Sequence, residues 1–285
     1  MVTMKLIRFF LFLFLVTPAV SQAQQEDVTF FVIGKHQNYE QDVLRKVHPV
    51  DFSFFSEIFL TGNGDASDAL LTLPTGEEIS FADQRRIDGP EKDNLLLIRG
   101  EERYRSYEDL QSRYPDGKYQ ISFNTPSGNV EGAVLSFPGD RLPTAPIVEI
   151  RQNGGLMCGY VDADSDIAVS WTPFTEGRAD NQGVLDDLIF VILEDKDGNR
   201  VSHSGRPFED RPYLTFADTS YVIKASALAP GQRYTLSVEH AVLADTHLSD
   251  SVPSMTTTAV TTKMTLETVE RPQSIDCQPA ASKGP

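Results

Sequence analysis

From residue 28 onward, short apolar runs rich in β-branched and aromatic residues alternate with Gly, Pro, Asn and Asp. Val28–Ile33, Val50–Phe55 and Glu57–Leu60 are the first such runs. Ala69–Leu73 leads through a turn at Pro74–Gly76 into Glu78–Phe81, and Asn94–Ile98 stops at Gly100. Tyr119–Phe123 and Val130–Phe137 flank Pro126–Asn129, a hairpin signature. Runs of this length, separated by turn formers, predict strands of an antiparallel sandwich. One helix is expected before Tyr119. Ser106 can cap it, Glu108 and Asp109 suit its first turn, and Leu110 and Tyr114 fall on one face. Pro115–Gly117 then ends it.

Residues 138–146 hold three prolines and one glycine, the mark of a short, stiff connection. Beyond it the pattern restarts with Ile147–Ile150, Ile167–Trp171, Leu188–Leu193, Tyr213–Phe216, Tyr221–Ile223, Tyr234–Val238 and Thr256–Leu266. The expected fold class is therefore all-β, with two antiparallel sandwiches in tandem and one short helix in the first. The expected divisions are residues 1–23, 24–143, 144–268 and an irregular tail over 269–285. Leu188–Leu193 is apolar on both faces and is expected to be the most buried strand.

The first 23 residues change the picture by fixing a compartment. Lys5 and Arg8 precede an unbroken apolar run, Phe9–Val16, and Ser21 and Ala23 are small residues two apart. That is an export signal cleaved after Ala23. The run is about half the roughly 20 residues that span a bilayer, so no membrane span is expected after cleavage. The protein is expected to be secreted or periplasmic. Loss of Lys5 and Arg8 takes the formal charge from −16 to −18. A chain this acidic repels phosphate backbones, which sets nucleic acid aside as a partner. The two cysteines, Cys158 and Cys277, suggest one disulfide in an oxidising compartment, with two free thiols as the other possibility.

Two local patterns in the second half carry a resemblance. Ile167–Pro173 places the only tryptophan, Trp171, in a strand, and Leu228–Tyr234 leads through Pro-Gly into another. With seven strands after a proline-rich connection, this half resembles a fibronectin type III module. The resemblance implies a core role for Trp171. It also implies that the Tyr234 hydroxyl bonds back to the preceding chain. The polar insertion Glu176–Gly183, and Phe190 where the family more often has tyrosine, depart from that pattern. In such a sandwich, Cys158 before the second strand and Cys277 after the seventh fall at the same pole, where a bridge closes a loop of about 120 residues. The first half is similar, over residues 34–41, 69–76 and 114–119, to exported bacterial proteins of no assigned activity.

Chemistry is sparse. There is no Gly-x-Ser-x-Gly elbow, no His-Glu-x-x-His motif and no phosphate-cradling loop. His240 and His247 flank Asp245 in what reads as a strand end and its loop. Asp162, Asp164 and Asp166 alternate, so on an extended strand all three share a face and form a candidate calcium site. No other cofactor is expected. These features favour a non-enzymatic, exported protein that binds, adheres or builds. A carbohydrate-binding module, using Tyr104, Tyr107 and Tyr114, is the alternative, and a hydrolase on an unfamiliar β scaffold a more distant one. The partner, protein or glycan, is left open.

Overall fold

The computed structural model describes residues 27–62, 64–83, 95–99, 103–139, 142–208, 212–249 and 252–269. The export segment, the tail after residue 269 and Cys277 lie outside the described residues. The first half contains β1 (Val28–Gln41), β2 (Val47–Leu60), β3 (Ser67–Thr72), β4 (Glu78–Ser80), β5 (Ala82–Asp83), β6 (Leu95–Arg99), α1 (Tyr107–Arg113), β7 (Gly117–Thr125) and β8 (Gly128–Phe137). The second contains β9 (Val148–Gln152), β10 (Gly155–Leu156), β11 (Tyr160–Val161), β12 (Ile167–Trp171), β13 (Leu188–Asp195), β14 (Arg200–His203), β15 (Leu214–Thr215), β16 (Ser220–Ile223), β17 (Arg233–Ser249) and β18 (Val252–Thr268). Among the described residues the fold is all-β with one short α-helix, and most strand pairs are antiparallel.

The sandwiches share a sheet. One large sheet runs in the order β14-β13-β17-β18-β1-β2-β6-β5, and two four-stranded sheets, β4-β3-β7-β8 and β10-β9-β12-β16, lie against it. Phe31, Ile33, Phe54 and Ile58 of the large sheet close one core with Leu71, Tyr119, Ile121 and Leu135. Val191, Leu236, Val238 and Leu266 close the other with Ile150, Val169 and Trp171. Burying each such side chain contributes roughly 1.5–3 kcal/mol before chain entropy is charged against it. A third apolar layer, with Phe30, Val32, Leu185, Leu188 and Ala259, covers the back of the large sheet.

The expected boundary at residues 143 and 144 lies in the extended connection from β8 to β9, and one core sits on each side of it. The pairing crosses it nonetheless. β1 runs parallel to β18 over ten positions, from Phe31 opposite Ser254 to Glu40 opposite Lys263. The Gln41 side chain adds a tie. It donates to the Val148 carbonyl at 2.8 Å and accepts the Val148 N–H at 2.7 Å, so it acts as one more strand residue beside β9.

Several strands differ from expectation. The two runs over residues 50–60 form a single strand, β2. It accommodates Pro49 with a bulge, because Asn38 faces Asp51 while Tyr39 faces Pro49. The most enclosed strand is β18, buried at every position from Val252 to Thr262, rather than β13, where Phe190 and Ile192 are half-buried. Some of its buried threonines bond to their surroundings: Thr257 Oγ1 donates to the Val242 carbonyl at 3.1 Å, and Thr256 Oγ1 to the Ser136 carbonyl at 2.8 Å, while the buried Thr262 hydroxyl has no partner among the described residues. β17 continues past its expected end to Ser249, so His240, Asp245 and His247 lie within a strand rather than in a loop. Ala244 is its unpaired bulge residue.

Candidate functional site

A group of buried or half-buried polar residues, Asp180, Asp187, Asp245 and Thr246, gathers along β17. The polar insertion that departs from the fibronectin pattern folds back over β17 here. Asp180 organises it: its Oδ2 accepts from the Val184 N–H at 2.8 Å, the Leu185 N–H at 3.1 Å and the Thr246 hydroxyl at 3.0 Å, and its Oδ1 from the Gln182 N–H at 2.9 Å. Burial pushes the Asp180 carboxyl up, but these donors outweigh it and hold the group below the usual range. Asp187, 2 % exposed, accepts the Arg178 N–H at 2.9 Å and the Leu243 N–H at 2.7 Å, which docks the insertion on the β17 bulge. Asp245 accepts the Ser136 N–H at 2.8 Å, tying β17 to β8, and pairs with His247 at 2.8 Å. A polar cleft of about 110 Å³ opens between Arg178, Asn181, Gln182 and Ala244. Its acidic groups spend their lone pairs on backbone N–H groups, so they shape the cleft rather than act as free bases.

Two buried ionisable groups were not legible as special in the sequence. His240 is 1 % exposed and stacks on Phe174 with ring centroids 4.5 Å apart. Neither ring nitrogen makes a hydrogen bond within the described residues. Burial pushes its pKa down to about 4, against an opposing pull from the nearby Thr144 backbone and from Glu176 and Glu239. Lys35, on β1, is 1 % exposed. Its ammonium donates to Asp116 Oδ1 at 2.5 Å and Gln111 Oε1 at 2.9 Å, and lies 4.6 Å from the centre of the Phe137 ring. Burial lowers its pKa, and Asp116 works in the other direction. Lys35 lies beyond the run expected as a strand, Val28–Ile33, and the Gln111 side chain of α1 and Asp116 in the turn after it meet its ammonium.

The residues singled out from sequence fall as follows. Trp171 is 5 % exposed, and its indole N–H donates to the Asp218 carbonyl at 3.2 Å. Tyr234 is buried, and its hydroxyl oxygen accepts the Ala229 N–H at 2.7 Å, five residues back. Cys158 sits just before β11. Asp162, Asp164 and Asp166 do not share a strand face, because residues 162–166 form a turn. Gln152 holds that turn through the Asp162 and Ser165 carbonyls, both at 2.8 Å. Asp162 caps the Asp164 N–H at 2.9 Å, while Asp166 accepts from the Ala225 N–H and the Lys224 ammonium, each at 2.9 Å. Among the described residues, no three His, Cys, Asp or Glu are grouped to hold a metal ion, and the strand face expected to align Asp162, Asp164 and Asp166 is replaced by a turn. The three tyrosines are not open platforms either. Tyr114 stacks on Phe54 at 3.9 Å, Tyr107 packs on Phe52, and Tyr104 meets the Tyr114 edge. The expected helix is α1, with the Ser106 hydroxyl accepting the Asp109 N–H at 3.1 Å.

No protein-family model and no curated protein matches the chain. Among solved structures it is similar to the BSP domain of a biofilm associated protein, with 14 % identity and a TM-score of 0.21, over 83 % of this chain and 30 % of that one. It is also similar to the FN1-FN3 domains of chicken CNTN1, with 13 % identity and a TM-score of 0.23, over 80 % of this chain and 67 % of that one. The chain thus spans about 30 % of the length of the first.

Proposed function

We propose that this chain is an exported, non-enzymatic β-sandwich protein that serves as a binding, adhesion or structural component of the cell envelope or extracellular space. The observation that carries the reading is the shared sheet. Two sandwiches that are merely strung together flex about their connection. Here ten parallel positions between β1 and β18, and the Gln41 tie, hold them as one body with loops displayed at its poles. A rigid frame with variable loops suits presentation or support. The export-signal pattern of residues 1–23 supports a place outside the cytoplasm, and a Cys158–Cys277 bridge fits that compartment. The second half, read as a fibronectin type III module, supplies the sandwich to which the first half is joined.

The test has two arms. Expressed in a bacterial host from Met1, the mature protein should be recovered outside the cytoplasm with Gln24 as its first residue, read by mass spectrometry. Recovery in the cytoplasm with residues 1–23 attached refutes the export arm. The purified protein should then be retained by isolated cell envelopes, or crosslinked to a discrete envelope component. A chain that turns over a glycoside or peptide substrate, and is not retained, refutes the non-enzymatic arm.

A further inference from the structure

We infer that the fold is a tension-bearing element, in which force applied between its N-terminal and C-terminal sides is carried in shear by the ladder between β1 and β18. This deepens the structural-component reading and rests on it for its biological use, while the mechanics rest on strand topology alone.

β1 enters the large sheet at Val28 and runs toward Gln41, and β18 runs the same way and leaves at Thr268. Because the two are parallel neighbours, the described chain enters at one pole and departs at the other. The separation is roughly 50 Å for a rise near 3.3 Å per residue. Pulling those points apart slides β1 along β18. All ten paired positions are then loaded together, since the hydrogen bonds of a parallel pair are evenly spaced along the strands. Had the two strands been antiparallel neighbours, the same pull would open the ladder from one end, a bond at a time.

Three further features resist the slide. Neither strand lies at an edge, because β1 is also paired with β2 from Val28 to Gln41 and β18 with β17 from Val252 to Glu267. Extracting either one breaks two ladders. Side chains pin β1 to its surroundings at two heights, Lys35 to Asp116 and Gln41 to Val148. Where β1 ends, β11 takes its place beside β18, with Tyr160 and Val161 parallel to Glu267 and Thr268. The first part of the ladder is also dry. Phe31, Ile33 and Lys35 on β1 and Ala259 and Val260 on β18 are at most 1 % exposed, so water has no ready access to the bonds there, whereas the far end at Tyr39 and Glu40 is more open.

Single-molecule force spectroscopy tests this on the mature chain with two handle placements. One joins the two termini and loads β1 against β18 in shear. The other joins the N-terminus to a click-reactive residue replacing Leu248, which is 65 % exposed and sits at the same pole as the start of β1, and so peels the ladder. The expected result is a rupture force several-fold higher for the terminal pair at the same loading rate. Equal forces, or a weaker terminal pair, overturn the inference. Force-free unfolding in urea, compared between the two handled chains, verifies that the Leu248 handle leaves stability unchanged. If it does not, a handle at Ser249 gives the same peeling geometry. Weak shear resistance in a chain that is exported and retained removes this inference alone. Strong shear resistance in a chain that stays cytoplasmic removes the export reading alone.

Discussion

Removing the carboxylate that faces Lys35 is expected to cost far more than removing Lys35 itself. The ammonium is 1 % exposed, whereas Asp116 is 35 % exposed. In Asp116→Ala the charge stays buried with only Gln111 and the Phe137 ring beside it. Stripping one partner from a buried pair costs about 3–5 kcal/mol. Water reaching the vacated Asp116 side offsets part of this, which places the expected loss near 3 kcal/mol, at the low end of that range. In Lys35→Met the volume is kept, the charge is gone and Asp116 is free to hydrate. The expected change is within about 1 kcal/mol of zero, because well-packed apolar replacements of buried ions are often neutral. The double variant should recover most of what Asp116→Ala loses. Urea unfolding followed by far-ultraviolet circular dichroism gives all three values at constant slope. Equal losses for the two single variants, or a loss under about 1 kcal/mol for Asp116→Ala, would show that the ammonium is not held as described.

Four further outcomes are expected. The neutral His240 ring is favoured in the fold and its folded pKa lies below the ordinary 6.5, so its contribution is complete above pH 6.5 and is lost as pH falls toward 4, by up to roughly 3 kcal/mol. His240→Phe, which keeps the stack on Phe174, should flatten that part of the urea-midpoint profile between pH 7 and 4. Tyr234→Phe strands the Ala229 N–H and should lower stability by about 1–2 kcal/mol in the same assay. Peptide mapping under non-reducing conditions should recover the peptides of Cys158 and Cys277 joined, and two free thiols in oxidised material would refute the bridge. A fragment ending at residue 143 lacks β18 beside β1 and should give no cooperative thermal transition, whereas an independent first sandwich would melt sharply.

The local signals in this chain translate well. The Ser106 cap, the Pro-Ser turn between β7 and β8, and the Tyr234 corner are each settled by residues a few positions apart, where side chain and backbone meet directly. The misread elements were decided at long range. β18 is expected as a strand over Thr256–Leu266, but its burial depends on β17 and β1 lying on either side of it. The aspartates at residues 162–166 alternate in sequence as strand residues do. Gln152, ten positions earlier, folds them into a turn instead. Lys35 and His240 looked ordinary because burial is a property of neighbours brought from elsewhere in the chain, and neither carries a motif that announces it. The proline-rich connection over residues 138–146 reads as a boundary in the sequence, but the pairing of β1 with β18 that spans it leaves no trace in composition.

The place of β1 has a consequence for how the molecule is made. It leaves the ribosome well before its neighbour β18, since β1 ends at Gln41 and β18 begins at Val252. Until β18 has been produced, one side of β1 lacks its partner, and Phe31 and Ile33 sit on an incomplete surface. Native-like closure of the first sandwich therefore waits for β18. Such long-range closure folds slowly and leaves sticky intermediates exposed. A polypeptide with that schedule keeps its two sandwiches unlocked until its late strand arrives, and then sets both at once.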